Sequence, residues 1–493
     1  MQFTEIQYFC NVKNKKMTDM PHCKNTKKIE EVGTFFQNDS NKALNAIYNV
    51  VRAIKITDIN LGLRTARNAM RKTSEKLFLC LLFPLFRVKN PYNFPNSRLG
   101  EIVSGGKDQF YRLLNDGSIN WRKVGFSVFV ALSRLVDKHC ESNGPRCLIA
   151  DDTDLHKTGR HIEMIGRVFS HVENGMILGF KMLTLAYSDG KTLLPVDLSL
   201  HGEKGAKGNY GMKSKELKSR HKAEHKKGNP DRERISEYGK SKIDMLIDMV
   251  RRFTRHGRKA DYLLVDSWFV CHELVAFVLR IKSVGHLLGM AKMGNTRYTV
   301  GGKEKTAKEI IRSVRKKSSS MTLKCKYAPV RAELKGIPVM LFFCKRGRNE
   351  NWKVMLTTDM SLSFEQAYKI YAMRWGVEVM FKEAKQLLNL GGCQSREFNA
   401  QVAAATIALM QFGILSVAKR FGCYESLGEL FRNTEADIIE LTLNERLWLC
   451  ICRIISQLAE LMDLDEECLM TKFITDNQTF AKCINLDSLL QSA

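Results

Sequence analysis

No uninterrupted apolar stretch in this chain is long enough to cross a bilayer. The longest run, Leu77 to Phe86, is interrupted by Pro84, and a spanning helix needs about 20 apolar residues. Met1 to Lys16 is mixed in character and lacks the apolar core of a signal peptide. Paired cysteine motifs are missing too. The fourteen cysteines are scattered. Cys450 and Cys452 stand too close together for a zinc knuckle, and Cys10 with Cys23 has no matching second pair. The expectation is a set of buried, reduced thiols in a cytoplasmic protein with no membrane partner. No repeat of fixed period is visible.

Acid is scarce relative to base. Asp plus Glu number 52 against 78 Lys plus Arg, which leaves a formal charge of +26. Such an excess favours a polyanionic partner, because each neutralised phosphate releases a counterion. Hydrophobic content is 44% over 493 residues, enough for several cores, and a prior of about 150 residues per domain suggests roughly three domains.

The periodicity changes along the chain. Residues 1–140 read as a helical, DNA-binding region, with three- and four-residue apolar spacing over Asn41 to Ile54 and Trp121 to His139. Within it, Phe110, Tyr111, Arg112, Trp121, Arg122 and Lys123 interleave base with aromatics, which suits contact with phosphates and sugars. An amphipathic helix pair with core aromatics fits the same pattern. Near Cys140 strands begin. Arg146 to Asp151, Met176 to Ala186 and Thr192 to Leu200 are extended runs, and Ser188-Asp189-Gly190 is a turn, so an antiparallel meander is expected. Lys204 to Arg234 holds eleven Lys or Arg and almost no large apolar residue. It is expected to be a mobile loop, either simply solvated or ordered on DNA. A helix over Ser236 to Arg255, a buried strand Tyr262 to Val265, a helix over Cys271 to Lys282 and a strand His286 to Met290 follow. Residues 291–361 read as β again, and from Ser363 the chain is nearly all helical.

Three acids stand out. Asp151 follows the apolar run Cys147-Leu148-Ile149-Ala150, and Asp266 follows Tyr262-Leu263-Leu264-Val265. A carboxylate at the end of a buried strand is costly unless paired or bound to metal. The third acid, Glu378, lies in a helix expected over Ser363 to Leu390, with Ser363 as N-cap and Gln366 as its capping-box partner. With Tyr371 at zero and about 100° per residue, Arg374, Glu378 and Lys385 fall near −60°, −20° and −40°, one narrow strip. A carboxylate flanked by cations on one face can hold a metal while the cations hold a phosphate; ordinary helical charge spacing gives a similar strip. Oxygen ligands of this kind suit Mg²⁺ or Mn²⁺. Two ions about 4 Å apart would activate the attacking oxygen and stabilise the leaving one.

The run Tyr371-Ala-Met-Arg374-Trp-Gly-Val-Glu378, followed after six residues by Lys385, resembles the Y-(2)-R-(3)-E-(6)-K signature of insertion-sequence-4 family bacterial DDE transposases. Ile149 to Asp154 (IADDTD) resembles the first-aspartate region of that family, and Leu264-Val-Asp266-Ser-Trp-Phe269 its second. Ile165 to His171 and Leu194 to His201 add to the likeness, which spans roughly residues 100 to 400. Trp268 stands where the family often has Gly. Asp151 and Asp152 adjoin and only one can point into the site; Thr153 at the family's offset favours Asp151.

The resemblance implies an α/β fold: a ribonuclease-H-like catalytic core (141–290 and 362–395) interrupted by a β-rich insertion (291–361), with helical regions at 1–140 and 396–493. It implies Asp151, Asp266 and Glu378 as catalytic metal ligands for Mg²⁺, as a pair of ions, with Mn²⁺ as a substitute. It implies Tyr371, Arg374 and Lys385 as contacts to transposon-end phosphates, and cut-and-paste transposition of double-stranded DNA by a homodimer in a bacterial, nucleoid-associated setting. Trp352 in the insertion is a candidate to hold a flipped base, although a core or cross-strand position also fits it. The rival readings are a catalytically inactive DNA-binding descendant and a stand-alone Mg²⁺-dependent nuclease of the same fold.

Overall fold

The computed structural model describes residues 42–439 apart from 104, 141–143 and 348–349. The expected helical regions before residue 42 and after residue 439 lie outside the described residues, as do Cys10, Cys23, Cys450 and Cys452. The eight described cysteines are all free thiols, Cys80, Cys147 and Cys325 buried and Cys423 exposed.

Four principal helices come first: α1 (Lys42–Ile54), α2 (Thr73–Leu82), α3 (Asp108–Asn115) and α4 (Trp121–His139). Asn120 caps α4, its side-chain oxygen accepting from the Lys123 N–H at 2.9 Å. Two of the three aromatics singled out in this region are core, while Tyr111 is exposed. Phe110 and Trp121 are buried, and Phe110 meets Phe83 and Phe94 edge-on, with ring centroids 4.9 and 4.7 Å away.

A mixed sheet follows. β1 (Cys147–His156), β2 (Gly166–Ser170), β3 (Gly175–Ser188) and β4 (Leu193–His201) are joined antiparallel, with β3 central to β1, β2 and β4. The β3–β4 turn is the expected one. Gly190 takes a positive φ of 87°, and Asp189 Oδ1 accepts from the Lys191 and Thr192 N–H groups at 3.0 and 2.7 Å. After the helices α5 (Pro230–Glu237) and α6 (Lys242–Arg255) comes β5 (Ala260–Val265), parallel to β1. The helix α7 (His272–Arg280) crosses to β6 (Val284–Ala291), parallel to β5. The continuous helix expected over Ser236 to Arg255 is therefore two, and Ser241 begins the second by accepting from the Asp244 N–H at 3.0 Å.

Residues 297–357 contain β7 (Arg297–Val300), β8 (Lys303–Thr306), the helix α8 (Ala307–Ser313), β9 (Ser318–Ser320), β10 (Cys325–Leu334), β11 (Ile337–Lys345) and β12 (Lys353–Thr357). These strands do not form a separate sheet. β12 pairs with β6, and the order continues β6-β12-β11-β10-β7-β8 in one 12-stranded sheet. The last labelled helices are α9 (Phe364–Ala372), α10 (Trp375–Leu387) and α11 (Phe398–Phe421).

α11 is long and apolar enough to cross a membrane, and 89% of its apolar window is buried inside the protein. A search for uninterrupted apolar runs passes over it because Gln401, Thr406 and Gln411 punctuate it. Each finds a partner: Gln411 Nε2 donates to the Cys80 carbonyl at 2.9 Å, Thr406 Oγ1 to Val402 at 2.8 Å and Gln401 Nε2 to Ser395 at 2.7 Å. The helix packs against α1, α4 and β4 as the spine of the helical layer.

Candidate active site

β1 and β5 are parallel neighbours in register, with Ala150 beside Val265. The next residue of each segment is an aspartate: Asp266 directly follows β5, whereas Asp151, expected at a strand end, lies midway along β1, which continues to His156 in its pairing with β3. From β1 the chain turns toward β3, and from β5 it turns toward β6. Strand order therefore diverges between them, the position at which open α/β sheets leave a crevice at their carboxyl ends. Asp266 opens the turn after β5, its Oδ1 accepting the Trp268 N–H at 2.9 Å. Asp151 is largely buried. Its Oδ1 accepts the Asp152 N–H at 2.9 Å and its Oδ2 accepts from Arg374 Nη1 at 2.5 Å. Burial pushes the Asp151 carboxyl up to about 7 against the pull of Arg374, and Asp266 is close enough to push it the same way.

The single helix expected over Ser363 to Leu390 is split. Its start is as expected: Ser363 and Gln366 form a capping box. The Met373–Arg374 junction then breaks it into α9 and α10. There Arg374 N–H donates to Tyr371, Gly376 to Met373 and Val377 to Arg374, all three residues back, at 3.0 to 3.1 Å. This is the tighter 3₁₀ pattern. It leaves Arg374 at the head of α10, where its guanidinium bridges Asp151 and Glu378. Burial works against the Arg374 charge, but Tyr371, Asp151 and Glu378 outweigh it and raise its affinity for the proton. Tyr371 stands beside it, with the Arg374 guanidinium 5.8 Å from its ring centroid, and burial pushes its hydroxyl up to about 12. Farther along α10, Lys385 Nζ donates to Thr153 Oγ1 at 2.9 Å.

Side chains alternate along β1, so Asp152 faces away from Asp151. It pairs with Lys242 at the start of α6. Lys242 Nζ also lies 4.7 Å from the ring centre of Trp268, which is 49% exposed. Asp152 is thus held by a lysine on one face, while Asp151 shares Arg374 with Glu378 on the other.

The donor set suits a hard divalent cation: three carboxylates, one of them buried beside the charge of another. Arg374 already places a positive charge between two of them. Among the described residues, no three His, Cys, Asp or Glu side chains are gathered into a closed chelate; in this conformation the guanidinium, rather than a third carboxylate, completes the arrangement around Asp151 and Glu378.

Several residues that sequence reasoning singled out lie elsewhere. Arg122 is not a free phosphate contact. It is buried, bonded to Asp197 at 3.0 Å and to Glu237 at 2.7 and 2.8 Å. Trp352 is half-buried with Lys317 Nζ 5.6 Å from its ring centre. The basic stretch expected to be mobile is ordered by specific contacts and contains a helical turn at Ser214–Lys218. Two features escaped sequence reasoning. One is Lys242 beside Asp152; the other is Lys157, buried just after β1, which donates to the Gly391 and Cys393 carbonyls at 2.5 and 3.0 Å. Burial lowers the Lys157 ammonium to about 8.

A comparison with curated proteins finds no match. Among solved structures, the chain is similar to one described as a piggyBac transposase synaptic complex with hairpin DNA. The identity is 11%, the TM-score 0.40, and the match covers 85% of this chain and 81% of that one. The family model of the DDE superfamily endonuclease matches residues 96–291, a span that contains β1 with Asp151 and β5 with Asp266 and ends before Glu378.

Proposed function

We propose that this chain is a DNA transposase of the DDE type, related to the insertion-sequence-4 family, that cuts at the ends of its element and joins the freed 3′-hydroxyl to target DNA. The observation that carries this reading is the placement of Asp151 on β1 beside Asp266, which directly follows the adjacent parallel strand β5, with Arg374 joining Asp151 to Glu378. The match of residues 96–291 to DDE endonucleases supports it. So does the strand order β4-β3-β1-β5-β6, an antiparallel meander followed by two parallel strands, which fits the ribonuclease-H-like core implied by the resemblance.

Asp151, Asp266 and Glu378 are the residues to hold Mg²⁺ or Mn²⁺. When bound, the cation supplies a more acidic water and a polarised phosphoryl oxygen. Arg374, now paired with both carboxylates, would have to leave them for such a cation, and its planar guanidinium would then offer a phosphate bidentate contact. Tyr371 beside it and Lys385 over Thr153 extend the contact along α10. The excess of base favours duplex DNA as partner, and action on two element ends calls for a homodimer.

The test is nicking of a duplex carrying the element end. Asp266→Ala and Glu378→Gln are expected to bind that duplex as the wild type does and to lose Mg²⁺-dependent nicking by at least about a hundredfold, the scale on which loss of charge stabilisation acts. Undiminished nicking by either variant would overturn the reading.

A further inference from the structure

Residues 204–229 form an ordered surface. The Tyr210 carbonyl accepts from the Arg167 N–H of β2 at 2.9 Å, and Arg220 lies 5.6 Å over the Tyr210 ring. His221 N–H donates to the His161 carbonyl at 2.9 Å, and His161 Nδ1 lies 2.8 Å from the Ser219 carbonyl. Along residues 204–227 eight lysines are exposed. None of them lies within salt-bridge distance of a carboxylate among the described residues, whereas Glu216 is engaged by the Lys213 N–H at 2.8 Å.

His225 fastens the end of the segment. Its Nδ1 lies 2.6 Å from Asp231 Oδ2 and its Nε2 2.7 Å from Glu163 Oε1. Carboxylates only accept and a neutral imidazole has one donor, so two such bonds call for the imidazolium. Glu163 also accepts the Ala223 N–H at 3.2 Å and the Phe398 N–H at 2.9 Å. One carboxylate therefore joins the segment, the loop after β1 and the start of α11. Glu397, just before α11, is close enough to interact with both His225 and His221. Burial opposes the charge on His225, but the bonds to Glu163 and Asp231 outweigh it and raise its proton affinity. Gly117 allows the close approach of Asp231: a Cβ there would stand 2.4 Å from the same Oδ2 that His225 holds.

We infer that residues 204–227 are a second phosphate-binding surface for duplex DNA, apart from the three acids, held in binding form by a protonated His225 clamped between Glu163 and Asp231. The choice of DNA rests on the transposase reading. Ordering the segment in advance removes an ordering cost from binding, and each lysine–phosphate contact adds about 0.9 to the slope of log K against log salt. The clamp is complete below the ordinary imidazole value and opens as pH rises through the raised one.

The test uses the full chain, a chelator to prevent cleavage, and anisotropy of a labelled random-sequence duplex over a salt series. The triple variant Lys215→Gln, Lys218→Gln, Lys222→Gln is expected to lower the slope by about 2 to 3. His225→Gln, and independently Gly117→Ala, should show at about pH 6 the reduced slope that the wild type reaches only at about pH 9. An unchanged slope in the triple variant overturns the inference. So does a His225→Gln slope equal to that of the wild type at both pH values, or a loss of binding confined to duplex RNA. Asp266→Ala should keep the full slope; if that variant still nicks, the transposase reading fails while the phosphate-binding surface stands.

Discussion

At the scale of single residues, the arrangement turns on which of two adjoining aspartates meets Arg374. The sequence left Asp151 and Asp152 open for a physical reason. Alternation along a strand says that they face opposite ways, but not which face receives α10, a segment more than two hundred residues later in the chain. The structure assigns Asp151 to Arg374 and Glu378, and Asp152 to Lys242. Asp152→Asn is therefore expected to retain nicking within about threefold, because it touches a lysine on the far face, whereas Asp151→Asn should abolish it. A gel-based nicking assay on the two variants separates them. Lys385 was legible as part of a helix strip, but its partner Thr153 was not, since that contact joins α10 to β1. With its charge removed, Lys385→Ala should reduce the salt slope of end binding by about 1, read by anisotropy; an unchanged slope would make it a purely structural link between helix and strand.

At the scale of elements, local signals served best where the chain itself supplies the partner. The meander β1-β3-β4 and its Ser188-Asp189-Gly190 turn were readable because adjacent strands bury adjacent apolar runs. The capping box at Ser363 was readable for the same reason. The break between α9 and α10 was not: the ion pairs that Arg374 makes at that junction join it to β1 and to Glu378, and periodicity does not show them. Also hidden was the buried charge network behind β4. Asp197 on β4 accepts from Arg122 of α4 at 3.0 Å and from Arg252 of α6 at 2.8 Å, and Arg122 in turn holds Glu237 of α5. Four elements meet in it, and a sequence shows only scattered charges. Asp197→Asn should cost about 3 to 5 kcal/mol, because it leaves buried guanidinium groups undercompensated; urea denaturation reads the loss. Burial alone would raise the Asp197 carboxyl, but Arg122, Arg252 and Arg234 outweigh it and lower it from 3.8 to about 2. Its folded value thus lies below its unfolded one. The corresponding stability, about 2 kcal/mol, is present above about pH 4 and is lost as pH falls toward 2. A denaturation series over that range should show this slope in the wild type and a flatter one in the variant.

At the scale of the whole molecule, the net charge of +26 does not lie evenly. Some basic residues are structural: Arg122, Arg234 and Arg252 are committed with Asp197 and Glu237 to the network behind β4. A concentrated share is presented to solvent on the ordered segment after β4. Composition alone announced a polyanionic partner but could not separate these two uses, and its low apolar content made the ordered segment look mobile. The β strands after β6 posed the converse problem. Their extended character was readable, but their fusion into the core sheet through β12 depends on pairing that local pattern does not encode. What unites the molecule is a sheet that sets Asp151 of β1 beside Asp266 after β5, and a helix whose Arg374 joins Asp151 to Glu378. The most direct measurement of that convergence is Mn²⁺ binding to the protein–DNA complex, followed by electron paramagnetic resonance in Asp151→Asn, Asp152→Asn, Asp266→Asn and Glu378→Gln. Weakened binding, on the order of tenfold or more, is expected in the first, third and fourth, with Asp152→Asn like the wild type. Wild-type binding in the variants of Asp151, Asp266 and Glu378 would contradict it.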